Sequence, residues 1–544
     1  MKTEILRTSA FLYYFYERHT ERSHNATPTG DSALYTASLW KLTHQDLDMI
    51  DVSRTASFLG FKDKDDKAIH LGKILMILLP TANIIFTLSS TFYTIFIAEA
   101  LGGGDFIQGL GLLGLLASIE MIVQTLLDYP SGALGDWIGQ RWVIGIGNML
   151  YGVTFFMVSF VTSTTPLWYL VALFAIQGIA QSQISGAWGA WFDNNYRVAK
   201  PDDKERKQYG VFWGRMGMIS QIAATAVLIP GSILAVVFQR PAVFQIQAIG
   251  AVFFALLVLR YIRDFPEVEA MRDERPSLSE YTALLKEGVS YLWKTPFVKY
   301  LVIGTMITTS AISVWGQLIL FPLYYSYLIT DVAVASYRTL AFLPGVAANE
   351  RSGVWSQRFE PKKWIPRFRL LQACGFVFYI LLAIVMFVFP PVVGATETIT
   401  VLLPFTSFVL IELPIAHIIP TVTLFSLFTV TMFFSGFADI LTQRELLDAI
   451  PDRNRNSLYS LQPTILMLLS IPQIAIFGWF IPIFGFSITL LLCAGVSLTG
   501  VLVTKYALSL EKPIAQEASA NGKVTIQLVD EHDEMEEIVI ESLE

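Results

Sequence analysis

Residues Asp128–Trp142 read DYPSGALGDWIGQRW, a glycine-rich polar stretch between two long apolar runs. Gly132 and Gly139 permit tight turning and close approach of neighbouring backbones. Asp136 falls at the edge of an apolar run, where a carboxylate is costly unless it faces a helix N-terminus or a cation such as Arg141. The stretch therefore predicts a short turn between two membrane-spanning helices, with a charged contact at its rim.

The composition is that of a membrane protein. Of 544 residues, 53% are hydrophobic and only 15% are charged, and the mean hydropathy is +0.53, which excludes an ordinary soluble globule. The two cysteines, Cys374 and Cys493, lie in apolar runs and support neither a disulfide framework nor a cysteine-based metal site. Nothing in the bulk composition indicates a nucleic-acid partner.

Twelve segments are long and apolar enough to cross a bilayer, which takes roughly 20 residues. They predict an all-α membrane protein. The segments are 74–98, 107–127, 143–162, 167–191, 211–238, 242–261, 298–327, 333–354, 367–389, 415–438, 458–479 and 483–507.

Basic residues concentrate in alternate loops, and Arg240 is the only one in the opposite set. The positive-inside bias therefore predicts that both termini are cytoplasmic and that the protein lies in the cell membrane. The apolar region 391–414 resembles a thirteenth crossing but is interrupted by Pro404 and Pro414. A crossing there would move the next basic loop to the wrong side, so we expect an outer-face excursion.

The polar segments divide the chain into domains. Within the central one, Ser277 and Glu280 have the spacing of a capping box, which begins an amphipathic helix on the inner membrane face. The predicted domains are a cytoplasmic N-terminal extension (1–72), a six-helix lobe (73–262), a cytoplasmic linker with this helix (263–297), a second six-helix lobe (298–508) and an acidic, disordered cytoplasmic tail (509–544).

The stretch SGALGDWIGQRWVI resembles the motif between the second and third helices of the major facilitator superfamily, through Gly132, Asp136, Gly139 and Arg141, preceded by an acidic residue, Asp128. The resemblance implies twelve transmembrane helices in two pseudo-symmetric six-helix lobes, with alternating access by rocking of the lobes. In this family the motif helps to hold the lobes together on the cytoplasmic side, which implies a contact between Asp136 and the eleventh helix.

A decayed copy of the motif is expected in the second lobe. The sequence NERSGVWSQRFEPKKW begins at Asn349, and it places Gly353 on the position of Gly132 and Gln357 on that of Asp136. By contrast, Phe174 replaces an arginine that family members with proton coupling carry in the fourth helix. A proton-antiport mechanism therefore does not carry over simply.

Polar residues inside a bilayer need a partner or a cavity, and several are candidates for binding a substrate or a coupling ion. For Glu120 two interpretations stay open: a group that binds a cation or exchanges a proton, or a neutral acid hydrogen-bonded between helices. Arg338 either attracts an anionic substrate or extends to the membrane surface. The candidates are Asn83, Glu120, Gln177, Gln181, Gln221, Trp315, Gln317 and Arg338.

The chain contains no G-x-x-x-x-G-K-[ST] phosphate loop and no H-E-x-x-H or G-x-S-x-G motif. We therefore predict a secondary active or facilitative transporter and not an enzyme, with no cofactor and no metal. Its predicted partners are a small-molecule substrate, a coupling proton or sodium ion that stays open, and the lipid bilayer, with a monomer as the working unit. The alternatives are a lipid scramblase or a non-transporting membrane sensor on the same fold.

Overall fold

The structure is a computed structural model. It describes residues 61, 66–203, 207–270, 286, 288–342, 358–392, 397–450, 452–513, 524–528 and 536–540. The predicted N-terminal extension, the linker helix at Ser277 and the second-lobe copy of the motif at Gly353 fall almost wholly or wholly outside these residues, so they remain predictions.

The first half of the described chain is a bundle of helices, which we call the first lobe. Apolar side chains from most of these helices meet in its interior. The helices are α1 (Asp66–Thr87), α2 (Ser90–Leu101), α3 (Phe106–Ile138), α4 (Gln140–Val158), α5 (Leu167–Ile184), α6 (Ala187–Ala199), α7 (Lys207–Ala226), α8 (Leu228–Phe238) and α9 (Arg240–Tyr261), with the short α10 (Pro266–Ala270) after it.

The second half is also helical and we call it the second lobe. It contains α11 (Pro296–Val314), a π-helical segment (Trp315–Ile319), α12 (Leu320–Leu328), a helix over 331–342, α13 (Pro361–Leu371), α14 (Phe376–Val388), α15 (Ile418–Ala449) and α16 (Asp452–Ala507).

Ten helical stretches within the described residues are long and apolar enough to span a membrane. One of them, Leu461–Ala507, covers most of the last two predicted spans. A non-helical Gly485 divides α16 within this stretch, between two helical segments. The eighth predicted span is described only as far as Phe342. The helical membrane fold is confirmed, and the count of twelve remains a prediction.

Within each lobe, helices that are far apart in sequence pack side by side. In the first lobe α4 packs on α5 and α9, and α1 packs on α7 and α9. In the second lobe α16 packs along α11 and α14. The principal contact between the lobes joins α3 to α16. There Gly114 lies against the backbone of Gly478, since neither residue has a side chain to hold the helices apart.

The region 391–414 does not form a thirteenth helix in its described part. It forms an antiparallel hairpin of β1 (Thr398–Leu402) and β2 (Val409–Pro414). His417 fixes its base: Nδ1 donates to the carbonyl oxygen of Tyr327 at 2.7 Å, and Nε2 accepts from the Val392 N–H at 2.8 Å. We call this end of the bundle the hairpin end, and the opposite end, where α3 meets α4, the motif end.

The acidic tail differs from the expected disorder in its described residues. β3 (Val524–Leu528) pairs with β4 (Glu536–Ile540) in an antiparallel hairpin. Both strands, VTIQL and EEIVI, are rich in the β-branched residues that favour extended structure. The high acidic content of the tail does not prevent this local pairing.

The contact between Gly114 and Gly478 gives a test of the lobe packing. A Cβ atom at Gly114 would lie 2.7 Å from the Ile474 carbonyl oxygen and 3.1 Å from the Gly478 Cα. Such overpacking costs about 1–3 kcal/mol, so we expect Gly114→Ala to lower the Tm of the purified protein in detergent. Gly214→Ala is the control, because a Cβ there meets nothing within 4 Å. Equal Tm values for the two variants would contradict the packing.

Candidate functional site

A chain of polar side chains crosses the interior of the first lobe and includes Glu120. The Tyr93 hydroxyl donates to the Gln177 side-chain oxygen at 2.7 Å. The Gln177 side chain also lies in hydrogen-bonding position to the Glu120 carboxyl group. This arrangement joins α2, α5 and α3, so the structure brings the predicted pair of Glu120 and Gln177 together.

A second tyrosine–glutamine pair lies beside this chain. The Tyr151 hydroxyl donates to the side-chain oxygen of Gln181, one helical turn after Gln177. Tyr151 is also close enough to Glu120 to interact with it electrostatically. The cluster of Tyr93, Glu120, Tyr151, Gln177 and Gln181 is called the acid–amide cluster below.

The backbone of α5 approaches α3 closely beside this cluster because residue 178 is glycine. A Cβ at Gly178 would overlap the Glu120 carbonyl oxygen and lie 3.0 Å from Val123 Cβ. The glycine thus determines how near Gln177 lies to Glu120. A small residue at a helix contact has this effect generally in membranes.

Three other candidates do not join the cluster. The Asn83 side-chain amide donates to the Leu79 carbonyl oxygen of its own helix at 2.8 Å. The Gln221 amide donates to Thr225 of its own helix at 3.3 Å. Trp315 is 4% exposed and packs on aromatic rings within the second lobe. A role for these three in binding a substrate or a coupling ion therefore stays a prediction.

Gln317 lies in the π-helical segment that separates α11 from α12. It is exposed although Trp315 and Leu318 beside it are buried. The segment contacts α3 of the first lobe, so Gln317 lies near the boundary between the lobes. Single π turns within α-helices occur frequently at functional sites.

The first span is interrupted at a comparable distance from its start. Between α1 and α2, the Ser90 hydroxyl donates to the Thr87 carbonyl oxygen at 2.9 Å, which satisfies a backbone group released by the break. Tyr93 follows directly in α2. Interrupted segments at corresponding positions in the two halves are a structural sign of a binding region in transporters.

Arg338 lies in the second lobe, on the helix over 331–342, with its guanidinium group over the rings of Phe342 and Phe428. It does not contact the acid–amide cluster in any described hydrogen bond or ion pair. Its side chain is half-buried.

The motif turn uses its glycines unequally. Gly139 has φ 98° and lies between α3 and α4, in a conformation that favours glycine. A Cβ at Gly135 would lie 2.5 Å from the Gln140 side-chain oxygen. Around Gly132 no described atom lies within 4 Å of the place of a Cβ, so a close approach at this glycine stays a prediction.

The charged part of the motif is described only in part. The Asp128 Oδ1 atom is buried and has no hydrogen-bond partner among the described atoms. Arg141 lies over the ring of Trp142 at 5.0 Å. The side chain of Asp136 and those at the start of α16 lie outside the described residues, so the predicted contact between them remains a prediction.

An ion cluster joins the two lobes at the hairpin end. Arg240, at the start of α9, pairs with Asp331 of the second lobe through Nε at 2.8 Å and Nη2 at 2.8 Å. The same guanidinium group pairs with Glu99 at 2.5 Å and donates to the Tyr325 hydroxyl at 3.2 Å. The two-pronged geometry with Asp331 is the strong form of an arginine–carboxylate pair.

Further contacts hold the hairpin half of the lobe interface together. The Ser118 hydroxyl donates to the Ile471 carbonyl oxygen of α16 at 3.1 Å. The Thr339 hydroxyl donates to the Thr225 carbonyl oxygen of α7 at 3.5 Å. Together with the Arg240 cluster, these contacts tie the two lobes to each other.

Outside the spans, burial and pairing change two titratable groups at the motif end. The hydrogen bond from Lys67 at 2.6 Å lowers the pKa of Glu267. Burial raises the pKa of Tyr291 to about 12, and its hydroxyl donates to the Ala449 carbonyl oxygen at 2.8 Å. Each contact connects segments of a single lobe.

Sequence reasoning missed Tyr93, Tyr151, Glu99 and Asp331. Tyrosines are common at membrane interfaces, so neither tyrosine gives a distinct signal. Arg240 had a signal: it is the only basic residue of the opposite loops, and such a charge requires a partner. Its partner Asp331 is 91 positions away along the chain.

Comparisons with known proteins agree with this architecture. A sequence profile described as Major Facilitator Superfamily matches residues 75–411. A crystal structure of the nucleoside transporter NupG has a TM-score of 0.58 at 14% identity, covering 81% of this chain and 100% of that one. A point mutant of NupG gives a TM-score of 0.56 at 14% identity, covering 80% and 100%. No curated protein sequence matches the chain. On the extent of the profile match, the chain belongs to the Major Facilitator Superfamily.

Proposed function

We propose that the protein carries a small organic solute across the cell membrane by alternating access, with the solute bound between the lobes beside the acid–amide cluster. The observation that carries this is the Glu120 carboxyl group, hydrogen-bonded to Gln177 inside the bundle. An ionisable residue at such a depth is costly and marks a substrate or ion pathway by default. Family membership supports transport over lipid scrambling, sensing or enzymatic chemistry.

The acid–amide cluster suits reversible binding. Tyr93, Gln177 and the Glu120 carboxyl group form a hydrogen-bonded chain. Such a carboxyl group stabilises a bound proton or a cation by its charge, and the phenol and amide groups offer hydrogen bonds to a polar solute. Both a proton and a sodium ion satisfy this chemistry as the coupling ion, and uniport requires neither.

The contacts at the hairpin end indicate from which end a solute enters the bundle. Because Arg240 ties the lobes together there, we infer a state that is closed at the hairpin end and that a solute enters from the motif end. With the predicted topology, in which both termini are cytoplasmic, that state faces inward. Closing the motif end then requires the Asp136 contact with α16, while the Arg240 pairs separate. The monomer contains both lobes and therefore both gates.

Nucleosides enter as one class of solute to test, because the structural neighbour NupG is a nucleoside transporter. At 14% identity the likeness concerns the fold alone. Counterflow of labelled nucleosides, sugars and organic acids into proteoliposomes containing the full chain tests the proposal. Lipid exchange without flux of any solute would overturn it.

Replacing the acid tests the role of Glu120 directly. We expect Glu120→Gln to lower the counterflow rate about tenfold, since a hydrogen bond to a charged group contributes about 1.5–3 kcal/mol. Glu120→Asp keeps the carboxyl group and is expected to retain part of the rate. Thr81→Val is the control, because Thr81 bonds only the Ile77 carbonyl oxygen of its own helix in the described contacts. An unchanged rate in Glu120→Gln would remove this residue from the mechanism.

Breaking the ion cluster tests the gate. Gln317→Cys, an exposed position at the lobe boundary, serves as a reporter for a membrane-impermeant maleimide in vesicles of both orientations. We expect Asp331→Asn to raise labelling from the hairpin end about 5- to 30-fold, the equivalent of 1–2 kcal/mol, because Arg240 then loses its two-pronged partner.

The control for the gate is Glu267→Gln. It removes an ion pair of 2.6 Å with Lys67, but this pair lies within the first lobe. We expect it to leave labelling of the reporter unchanged. If Asp331→Asn and Glu267→Gln behave alike while both proteins keep their Tm, the Arg240 cluster is not a gate.

A further inference from the structure

Arg338 is a half-buried cation for which the described residues offer no hydrogen-bond or ion-pair partner. Its Nη1 atom is buried and makes no hydrogen bond to any described atom, and no ion pair joins it to a described residue. The guanidinium carbon lies 4.1 Å from the Phe342 ring centroid and 5.3 Å from that of Phe428. Aromatic faces stabilise a cation by about 0.5–2 kcal/mol, which is less than the cost of burying the charge in a membrane.

Two other arginines of the bundle show what is missing. Arg240 has two carboxylate partners. Arg369 pairs with Asp439 at 2.9 Å and also donates to Gln372 and Thr442. Both are stabilised from within the chain, whereas Arg338 has rings around it in place of an acid. An arginine in such surroundings is suited to an anion that arrives from outside the protein.

A second unpartnered donor lies next to it. The Tyr337 hydroxyl is buried and has no hydrogen-bond partner among the described atoms. Its ring packs at 4.7 Å on that of Tyr324, and both tyrosines are close enough to Arg338 to interact with it electrostatically. A hydroxyl group and a guanidinium group side by side match the two oxygen atoms of a carboxylate or phosphate.

The neighbouring helical segments, α13 and α14, are separated by a break that lies beside Arg338. Between α13 and α14 the Ala373 N–H donates across to α15, to the Thr431 carbonyl oxygen at 3.0 Å and the Ser435 hydroxyl at 3.2 Å. α14 then begins after Gly375, and no side chain caps its N-terminus. Cys374, in the break, interacts electrostatically with Arg338. The N-terminus of a helix carries a partial positive charge and favours anions.

The site lies beside the boundary between the lobes. Thr339, the next residue, touches Thr225 of the first lobe. Residues 335, 338, 339 and 342 share one face of their helix by spacing, so Arg338 lies on or next to the face that meets the other lobe. A solute that moves between the lobes passes this face.

We propose that the second lobe binds the carboxylate or phosphate group of an organic anion at Arg338 and Tyr337, with the apolar part of the solute against the surrounding aromatic side chains. The proposal rests on the transport function above and narrows the substrate to anions. The solute neutralises Arg338 while it is bound, and this favourable pairing is available only to an anionic solute.

Thermal shifts of the purified full chain in detergent test the binding. The probes are benzoate with benzamide, phenyl phosphate with phenol, and inorganic phosphate. We expect an aryl anion to raise the Tm and its neutral counterpart not to, with affinity at least about tenfold lower in Arg338→Gln. Arg338→Lys keeps the charge and is expected to retain part of the binding. Arg260→Gln is the control, since Arg260 also lies over a ring, that of Tyr261 at 5.5 Å, but in the first lobe.

The outcomes separate this proposal from the proposed function. Equal shifts from aryl anions and their neutral counterparts, no shift from any anion, or unchanged binding in Arg338→Gln would overturn the anion site. Stronger binding of inorganic phosphate than of phenyl phosphate would overturn the proposed contact between the solute and the aromatic side chains. Counterflow of a neutral solute that is unaffected by Arg338→Gln overturns the anion site and leaves transport standing. Anion binding without counterflow of the same anion overturns transport of that anion and leaves the anion site standing. The Tm of each variant without ligand shows whether it folds.

Discussion

Backbone hydrogen bonding is the constraint on which this structure depends. In hydrocarbon every N–H and C=O group must be satisfied within the protein, which makes each span a helix. Departures from the helix therefore need compensation nearby. Between α1 and α2 the Ser90 hydroxyl provides the missing hydrogen bond. Between α13 and α14, Thr431 and Ser435 provide hydrogen-bond acceptors. These breaks lie beside Tyr93 and Arg338, so the irregular backbone and the polar candidates occur together.

The same reasoning applies to charge. An alternating-access protein needs its two closed states within a few kcal/mol of each other, otherwise one of them is never populated. The Arg240 cluster favours closure of the hairpin end through its two-pronged pair with Asp331, and the cost of removing its ions from water offsets part of this gain. Contacts of comparable strength are then required at the motif end when the hairpin end opens. The motif carboxylates, Asp128 and Asp136, are the groups that the sequence predicts for this role.

Hydropathy was sufficient to predict the spans, because a membrane-crossing helix is determined by composition over about 20 residues. It was also sufficient to select Glu120, Gln177 and Arg338, since a polar residue in such a run is conspicuous. Hydropathy did not reveal which of these side chains contact each other. Gln177 reaches Glu120 because Gly178 allows a close approach of two helices, and such a contact has no local signature. Asn83 and Gln221 looked equivalent in the sequence, yet each bonds within its own helix.

The two lobes differ in what they offer a solute. In the first lobe Glu120 already has a hydrogen-bond partner in Gln177, while in the second lobe Arg338 and Tyr337 have donors to spare. A ligand shifts a conformational equilibrium only by its differential affinity for the two states. Because Thr339 touches the first lobe beside Arg338, rocking of the lobes changes the surroundings of this arginine more than those of Glu120, which bonds within one lobe. We therefore expect an anion bound at Arg338 to shift the equilibrium between the two access states more than a ligand bound at Glu120.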